Sequence, residues 1–303
     1  MDGVTIRRAV AGDAVPMVWR AAFGDVPWQV PLYVQDAGRF ERTFVAVSGR
    51  TVLATVYYLI RPIRGLDGAP VPVGCVANVA SLPHARGRGL VRWLLAEAIT
   101  DMERHDVAWS LLFTGTPGVY ERSGWQTLTR HYRAGRIAQP GQTMTGVDVW
   151  DASLQEWPVL AQLYDTFNAS RPLTTVRTAS DWQRRVRIWY ADSQILLAGP
   201  RDEPNGYVVL RWDAGEAEVQ EIGVKSVAAA AALLDAVARR ALARGVDQCR
   251  LRLPDDPLLT RPTRDLLTTP LSDVTDATAM IRPVTRPADW FGPDAVHWPA
   301  DYF

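Results

Sequence analysis

Between residues 79 and 92 the chain reads Val79-Ala80-Ser81-Leu82-Pro83-His84-Ala85-Arg86-Gly87-Arg88-Gly89-Leu90-Val91-Arg92. An extended segment stops at Pro83 and a glycine- and arginine-rich loop follows. Apolar residues then recur at helical spacing through Leu90, Leu94, Leu95, Ala98, Ile99 and Met102. The helix therefore starts almost directly off the end of a strand. The first turn of an α-helix carries four N–H groups without internal acceptors, and its dipole places about half a positive charge there. Glycines at 87 and 89 let an anion approach the backbone closely. Arg86, Arg88 and Arg92 add cationic, fork-shaped donors suited to phosphate. The stretch reads as a diphosphate site on a helix N-terminus. Two familiar phosphate loops are excluded. The P-loop requires a lysine after its second glycine, and the only lysine is Lys225. The dinucleotide fingerprint requires three spaced glycines after the first strand, whereas this loop follows the fourth.

The surrounding pattern is β-α-β-β-β-α-β. Val4–Arg7 is a short strand, and Asp13 is placed to cap a helix running to Phe23. Residues 24–40 read as a loop with a short helix. Strands follow over Thr43–Val47, Thr51–Ile63 and Val71–Leu82, joined by turns at Ser48-Gly49-Arg50 and Gly65–Gly68. After the helix at Leu90 come a strand over Val107–Phe113, a bend at Gly115–Gly118, and a strand over Gln126–Tyr132. Gly135, Pro140, Gly141, Thr143 and Thr145 mark a linker. The same order then recurs. Val147–Trp150 is a strand; helices cover Ser153–Asn168 and Ser180–Ile188. Gln194–Ala198 and Gly206–Trp212 form a hairpin, Glu216–Val224 is a third strand, Ala228–Arg244 a helix, and Gln248–Leu253 a last strand. With 303 residues, about two domains are expected. They are placed at 1–140 and 146–303, the second lacking a glycine-rich loop after its corresponding strand, where the chain reads Ile222-Gly223-Val224-Lys225-Ser226.

Balanced charge, 33 basic against 33 acidic residues, argues against a broad nucleic-acid surface while leaving room for one anion site. Cys75 and Cys249 are too few for a disulfide scaffold, and no metal-ligand spacing occurs. No apolar run reaches 18 residues, so no membrane span is expected. A signal peptide is not expected before the first strand, and the expected location is cytoplasmic.

The loop resembles the acetyl-CoA loop of the GNAT N-acetyltransferase superfamily, Arg/Gln-x-x-Gly-x-Gly/Ala, here Arg86-Gly87-Arg88-Gly89-Leu90-Val91. Val91 departs from the small residue at the last position. It is similar instead to the Eis-like branch, whose loop runs Pro-x-x-Arg-x-Arg-Gly-Leu. Tyr120-Glu121-Arg122-Ser123-Gly124-Trp125 resembles that branch's Tyr-x-x-x-Gly-aromatic segment. The resemblance covers about residues 4–132. It implies an α/β fold with a mixed sheet, built as two tandem GNAT domains with the second degenerate.

It also implies a set of roles. Acetyl-CoA would be held by Arg86 to Arg92, with the backbone of Val79, Ala80 and Ser81 pairing with the pantetheine arm and Gly115 and Thr116 touching it. Tyr120 would protonate the departing thiolate. A tyrosine pKa of about 10 against about 8.5 for a thiol keeps the phenol protonated at neutral pH. The alternative for Tyr120 is a packing role. The chain's terminal carboxylate, on Phe303, would serve as base, or the aromatic terminus would only pack. The region holding Asp25, Trp28, Tyr33 and Asp36 lines the amine pocket in relatives. There, carboxylates and aromatics would suit a cationic amine, or would simply cap and pack. His84 in the loop reads as surface, and Glu221 as structural. The resulting expectation is an N-acetyltransferase acting on a small-molecule primary amine, without metal. The alternative is an acyl-CoA-binding sensor without turnover.

Overall fold

The first half places strands at Val4–Arg8 (β1), Thr43–Ser48 (β2), Thr51–Arg64 (β3), Pro70–Ser81 (β4), Trp109–Phe113 (β5) and Gln126–Arg136 (β6). Its helices are Val15–Phe23 (α1), Gln29–Val34 (α2), Leu90–Arg104 (α3) and Gly118–Glu121 (α4). The second half repeats the order with Val149–Ala152 (β7), Gln194–Ala198 (β8), Gly206–Asp213 (β9), Glu216–Val224 (β10), Gln248–Leu251 (β11) and Ser272–Pro283 (β12). Its helices are Trp157–Phe167 (α5), Arg187–Trp189 (α6, continuing a π-helical segment, Asp181–Val186), Val227–Ala243 (α7) and Pro257–Leu266 (α8). This computed structural model describes residues 3–139, 146–268, 270–287 and 291–303.

Among the described residues the twelve strands join in one sheet, ordered β1-β2-β3-β4-β5-β12-β6-β11-β10-β9-β8-β7. The two halves exchange their last strands. β12 pairs antiparallel with β5, aligning Ala279 with Phe113 and Pro283 with Trp109. β6 pairs with β11, aligning Arg133 with Leu251. β12 and β6 also pair with each other along the centre of the sheet. Neither half completes its own sheet, so the mixed α/β architecture is continuous across both.

Amphipathic helices cover the faces. Leu90, Leu94, Leu95, Ala98 and Met102 of α3 bury one stripe against Tyr58, Val76 and Leu112 of the sheet. Trp19 of α1 is fully buried on the other face with Val45 and Tyr57. The carboxyl-terminal segment crosses between the halves: Trp298 and Ala300 pack into the second half's core, while Phe303 packs against the first half's. No described helix is long and apolar enough to cross a membrane.

Four sequence expectations change. Asp13 does not cap α1; it accepts from the Arg7 guanidinium at 2.7 and 2.8 Å and from the Val10 amide at 2.9 Å, and Ala14 is the N-cap. The expected linker begins later, because β6 extends to Arg136 with Gly135 paired to Cys249. Its remaining part, residues 140–145, lies outside the described residues. The strand expected from Val107 begins at Trp109. Beyond Leu253, where no element is expected from sequence, the chain forms α8 and the strand that closes the first half's sheet.

Candidate active site

β4 and β5 run parallel and pair only over Val73–Trp109, Gly74–Ser110 and Cys75–Leu111. Beyond Cys75, β4 continues to Ser81 paired with β3 alone, while β5 beyond Leu111 stays bonded only to β12 on its other edge. A wedge opens between the two strand ends. Its cause is local. Asn78 adopts φ +53°, a left-handed conformation that asparagine tolerates better than most residues, and the β3–β4 register slips between Thr55 and Tyr57. The bulge is held from two sides: the Asn78 side-chain oxygen accepts from Gln29 at 2.8 Å, and its carbonyl accepts from the Thr55 hydroxyl at 3.1 Å. Val79, Ala80 and Ser81 therefore line the wedge with an edge that no strand among the described residues covers.

The loop from Pro83 delivers α3 to the mouth of this wedge. Gly87 and Gly89 have φ +73° and +75°. Gly89 is the left-handed N-cap of α3 and supplies no side-chain acceptor. Among the described residues no acceptor meets the amides from Gly87 to Arg92; the first helical bond runs from Trp93 to the Gly89 carbonyl. A Cβ at Gly87 would meet nothing within 4 Å, so no packing demand fills the space above it. Arg86, Arg88 and Arg92 are exposed and join none of the ion pairs among the described residues. Unpaired amides, two glycines and three free guanidiniums form a donor set that fits a diphosphate. Leu90 anchors the helix start in the core, while Val91 is half-buried.

Tyr120 lies on the short helix α4. It is 8% exposed and shares a cluster with Ala85 and Leu90, and its ring meets Trp125 edge-on at 6.2 Å. Burial raises its phenol to about 12. Gly115 and Thr116 form an exposed bend after β5, with the Thr116 amide donating to the Thr114 hydroxyl at 3.0 Å.

Beside the β4 bulge lies a small cavity of about 40 Å³, walled by Trp28, Gln29, Leu32, Tyr33, Tyr57, Leu59, Asn78, Arg185 and Phe303. Trp28, Tyr33 and Phe303 are thus brought together, from α2 and its N-terminus and from the end of the sequence. Asp25 is not among these walls; it is 77% exposed and pairs with Arg20 on the surface. Asp36 borders an adjoining cavity of about 180 Å³. Both of its oxygens are engaged, by Arg42 at 2.5 Å and by the Tyr57 hydroxyl at 2.8 Å. Sequence reasoning missed Asn78, Gln29, Tyr57 and Arg185. An asparagine inside a β pattern is a signal for the bulge, but nothing local in the sequence marks Arg185, which arrives from the second half.

The corresponding place in the second half is closed. β10 slips register between Val219 and Glu221, as β4 does at Asn78, and pairs with β11 only as far as Val219. Just past this slip Arg177 ties down Glu221, donating to both of its oxygens at 3.0 and 2.6 Å and to Asp301 at 2.9 Å. Tyr190 and Tyr207 add hydroxyl donors to Glu221 at 2.8 and 2.7 Å. All are buried. The following helix is satisfied too. Ser226 caps α7, its hydroxyl accepting from the Ala229 amide at 3.2 Å, and the Lys225 amide donates to Asn205. Glu221 is structural, as its sequence context indicates.

Family comparison matches acetyltransferase (GNAT) domains to residues 11–128 and again to residues 173–282. No curated protein matches the sequence. In fold, the chain is similar to a GCN5-related N-acetyltransferase from Kribbella flavida. Identity is 21% with a TM-score of 0.73, over 92% of this chain and 71% of that one. It is also similar to a GCN5-related N-acetyltransferase from Anabaena variabilis ATCC 29413, at 17% identity and a TM-score of 0.74 over 93% and 73% of the two chains. Similarity extends to Eis1 from Mycobacterium abscessus, at 22% identity and a TM-score of 0.67 over 93% and 74%.

Proposed function

The chain belongs to the GNAT N-acetyltransferase superfamily, with two such domains in tandem, and on that premise we propose that its first half transfers an acetyl group from acetyl-CoA directly to a primary amine of a small molecule. The observation that carries this reading is the contrast between the two helix starts. The amides at α3 stand open beside three free arginines and an uncovered strand edge, whereas α7 carries a side-chain cap at Ser226 beside a buried Arg177–Glu221 ion pair.

Acetyl-CoA, when bound, supplies an activated thioester. The amides from Gly87 to Arg92 hold its diphosphate, with Arg86, Arg88 and Arg92 adding charge. Val79, Ala80 and Ser81 pair with the extended arm as an added strand would. An amide from this strand edge also faces the negative charge that develops on the acyl oxygen; one such donor is worth about 3 kcal/mol of barrier. Gly115 and Thr116 border the arm from the β5 side.

Tyr120 holds its proton at every pH near neutrality, because burial has raised its phenol to about 12. It would donate a hydrogen bond to the departing sulfur and stabilise the negative charge there; with the phenol at about 12 against about 8.5 for a thiol, full proton transfer is uphill, so the sulfur would leave as a hydrogen-bonded thiolate. The acceptor amine enters by the cavity at Trp28, Tyr33 and Phe303. A terminal carboxylate on Phe303 is the group we assign to take the amine's proton. The second half contributes no cofactor site; it completes the sheet through β12 and supplies the far wall of the acceptor cavity through Arg185.

The test is release of CoA from acetyl-CoA across a panel of amines, beside calorimetric binding of CoA. Release with at least one amine supports the transferase. Binding without release across the panel supports a sensor that retains the ligand but not the chemistry.

A further inference from the structure

The acceptor cavity carries an unexpected charge. Among the side chains that wall it, the one that is charged is Arg185; a carboxylate on Phe303, the base assigned above, would be the cavity's other charged group, and no ion pair joins the two among the described residues. It is 8% exposed, and its Nε has no partner among the described residues. One terminal nitrogen donates to the Tyr302 carbonyl at 3.2 Å, an oxygen that the Trp189 indole also engages at 3.0 Å. No carboxylate among the described residues forms an ion pair with it. The nearby Asp181 is taken by Arg61 and by the Thr178 amide and hydroxyl, at 2.8 and 2.9 Å for the latter two. Burial first, and then the Arg61 charge, push the Arg185 guanidinium below its ordinary pKa. The adjoining cavity, which shares Leu59 and Arg185 as walls, is bordered by Arg42, Arg61 and Arg184 against Asp36 and Asp181. Both aspartates are already paired with arginines.

A buried guanidinium that makes no direct ion pair is costly, and a bound carboxylate would relieve that cost. Arg185 is held in place by Tyr302 yet keeps donors to spare, which is the arrangement that grips a carboxylate. A polycation would meet repulsion here. The cavities, about 40 and 180 Å³, are also small beside the roughly 300–1,000 Å³ of sites for drug-sized ligands. We propose that the acceptor is a small amine that also bears a carboxylate, of the amino-acid or short-peptide class, with Arg185 binding the carboxylate and Trp28, Leu32, Tyr33 and Tyr57 enclosing the apolar part. The inference rests on the acetyltransferase reading for which amine is acetylated, but the anion site itself does not.

Two readouts keep the two apart. The first is CoA release with L-phenylalanine, glycine and glycyl-phenylalanine, their carboxamides, and spermidine. The second is calorimetric binding of the same compounds to the CoA-loaded protein, for wild type, Arg185→Gln and Arg185→Lys. Carboxylate-bearing acceptors should be preferred over their amides by about 10- to 100-fold in kcat/KM, the range set by one charge-assisted hydrogen-bond pair. Arg185→Gln should erase that preference through KM, Arg185→Lys should restore part of it, and the affinity for CoA should not move. Carboxylate-selective binding without CoA release would keep the anion site and remove the transferase. CoA release with amides or spermidine as good as with the carboxylates would overturn the anion site and leave the transferase standing. A uniform fall in kcat for every acceptor in both variants would reduce Arg185 to a structural role and overturn the proposal. Neither selective binding nor release would overturn both.

Discussion

Arg177 grips both oxygens of Glu221, at 3.0 and 2.6 Å, at the place on β10 that corresponds to the Asn78 bulge on β4. One bulge borders an uncovered strand edge; the other lies beside a buried ion-pair cluster. Asp301 joins this cluster from the carboxyl-terminal segment, so the buried network of the second half anchors the residues that reach the cavity at Trp28 and Tyr33. Arg177→Met should leave two buried carboxylates with tyrosine hydroxyls but no cation and destabilise the fold by about 3–5 kcal/mol. Denaturant unfolding measures this; a loss under about 1 kcal/mol would show that the network is not what holds the segment.

Tyr120→Phe removes one hydroxyl from a buried ring and should leave folding and CoA affinity nearly unchanged while kcat falls by about 10²-fold, as for loss of a general acid. Because burial places the phenol at about 12, its ionisation should produce no falling limb in the kcat–pH profile below about pH 11. Unchanged kcat in the phenylalanine variant would return Tyr120 to a packing role beside Trp125.

The His297 ring is 2% exposed, stacks on Tyr302 at 5.7 Å and lies 5.2 Å from Phe113. Burial, its largest influence, lowers its pKa to about 4 from an ordinary 6.5. The folded protein therefore holds a neutral imidazole where the unfolded chain takes up a proton. The contribution is fully present above pH 6.5 and is lost as pH falls toward 4, by about 1.4 kcal/mol per unit. Melting temperatures measured from pH 7 to pH 4.5 should fall less steeply in His297→Gln than in wild type. Parallel curves would contradict the assignment.

The exchanged strands make a further prediction. A fragment of residues 1–140 retains the whole loop from Pro83 to Arg92 but lacks β12, and so leaves the β5 edge bare. It should aggregate or stay unfolded by circular dichroism, and co-expression with residues 146–303 should rescue it. A soluble fragment that binds CoA like the full chain would show that the first half is self-sufficient.

Much of this was legible in the sequence because it is local. The loop from Pro83 to Arg92 announces itself by glycines that need φ near +75° and by arginines without nearby carboxylates. The alternation of strands and helices is visible through β11. What stayed hidden depends on distant partners. Ser272–Pro283 reads as polar and alternating only weakly, because much of it is exposed and only Ala279–Ile281 is fully buried. Asp13 looks like a cap until Arg7 takes it. Arg185 lies 128 positions from Tyr57 in sequence numbering (185 against 57) and shares a cavity with it only because the second half packs there.

The account stands on the amides at the start of α3. Calorimetric titration with CoA, for wild type and for Gly89→Glu, tests them together with a crystal structure of the CoA complex. The account predicts the diphosphate on the amides of Gly87 to Arg92 with the pantetheine arm along Val79–Ser81, and a loss of affinity of at least about 100-fold when a carboxylate is placed at the helix start. CoA bound at α7, or bound equally well by the glutamate variant, would contradict it.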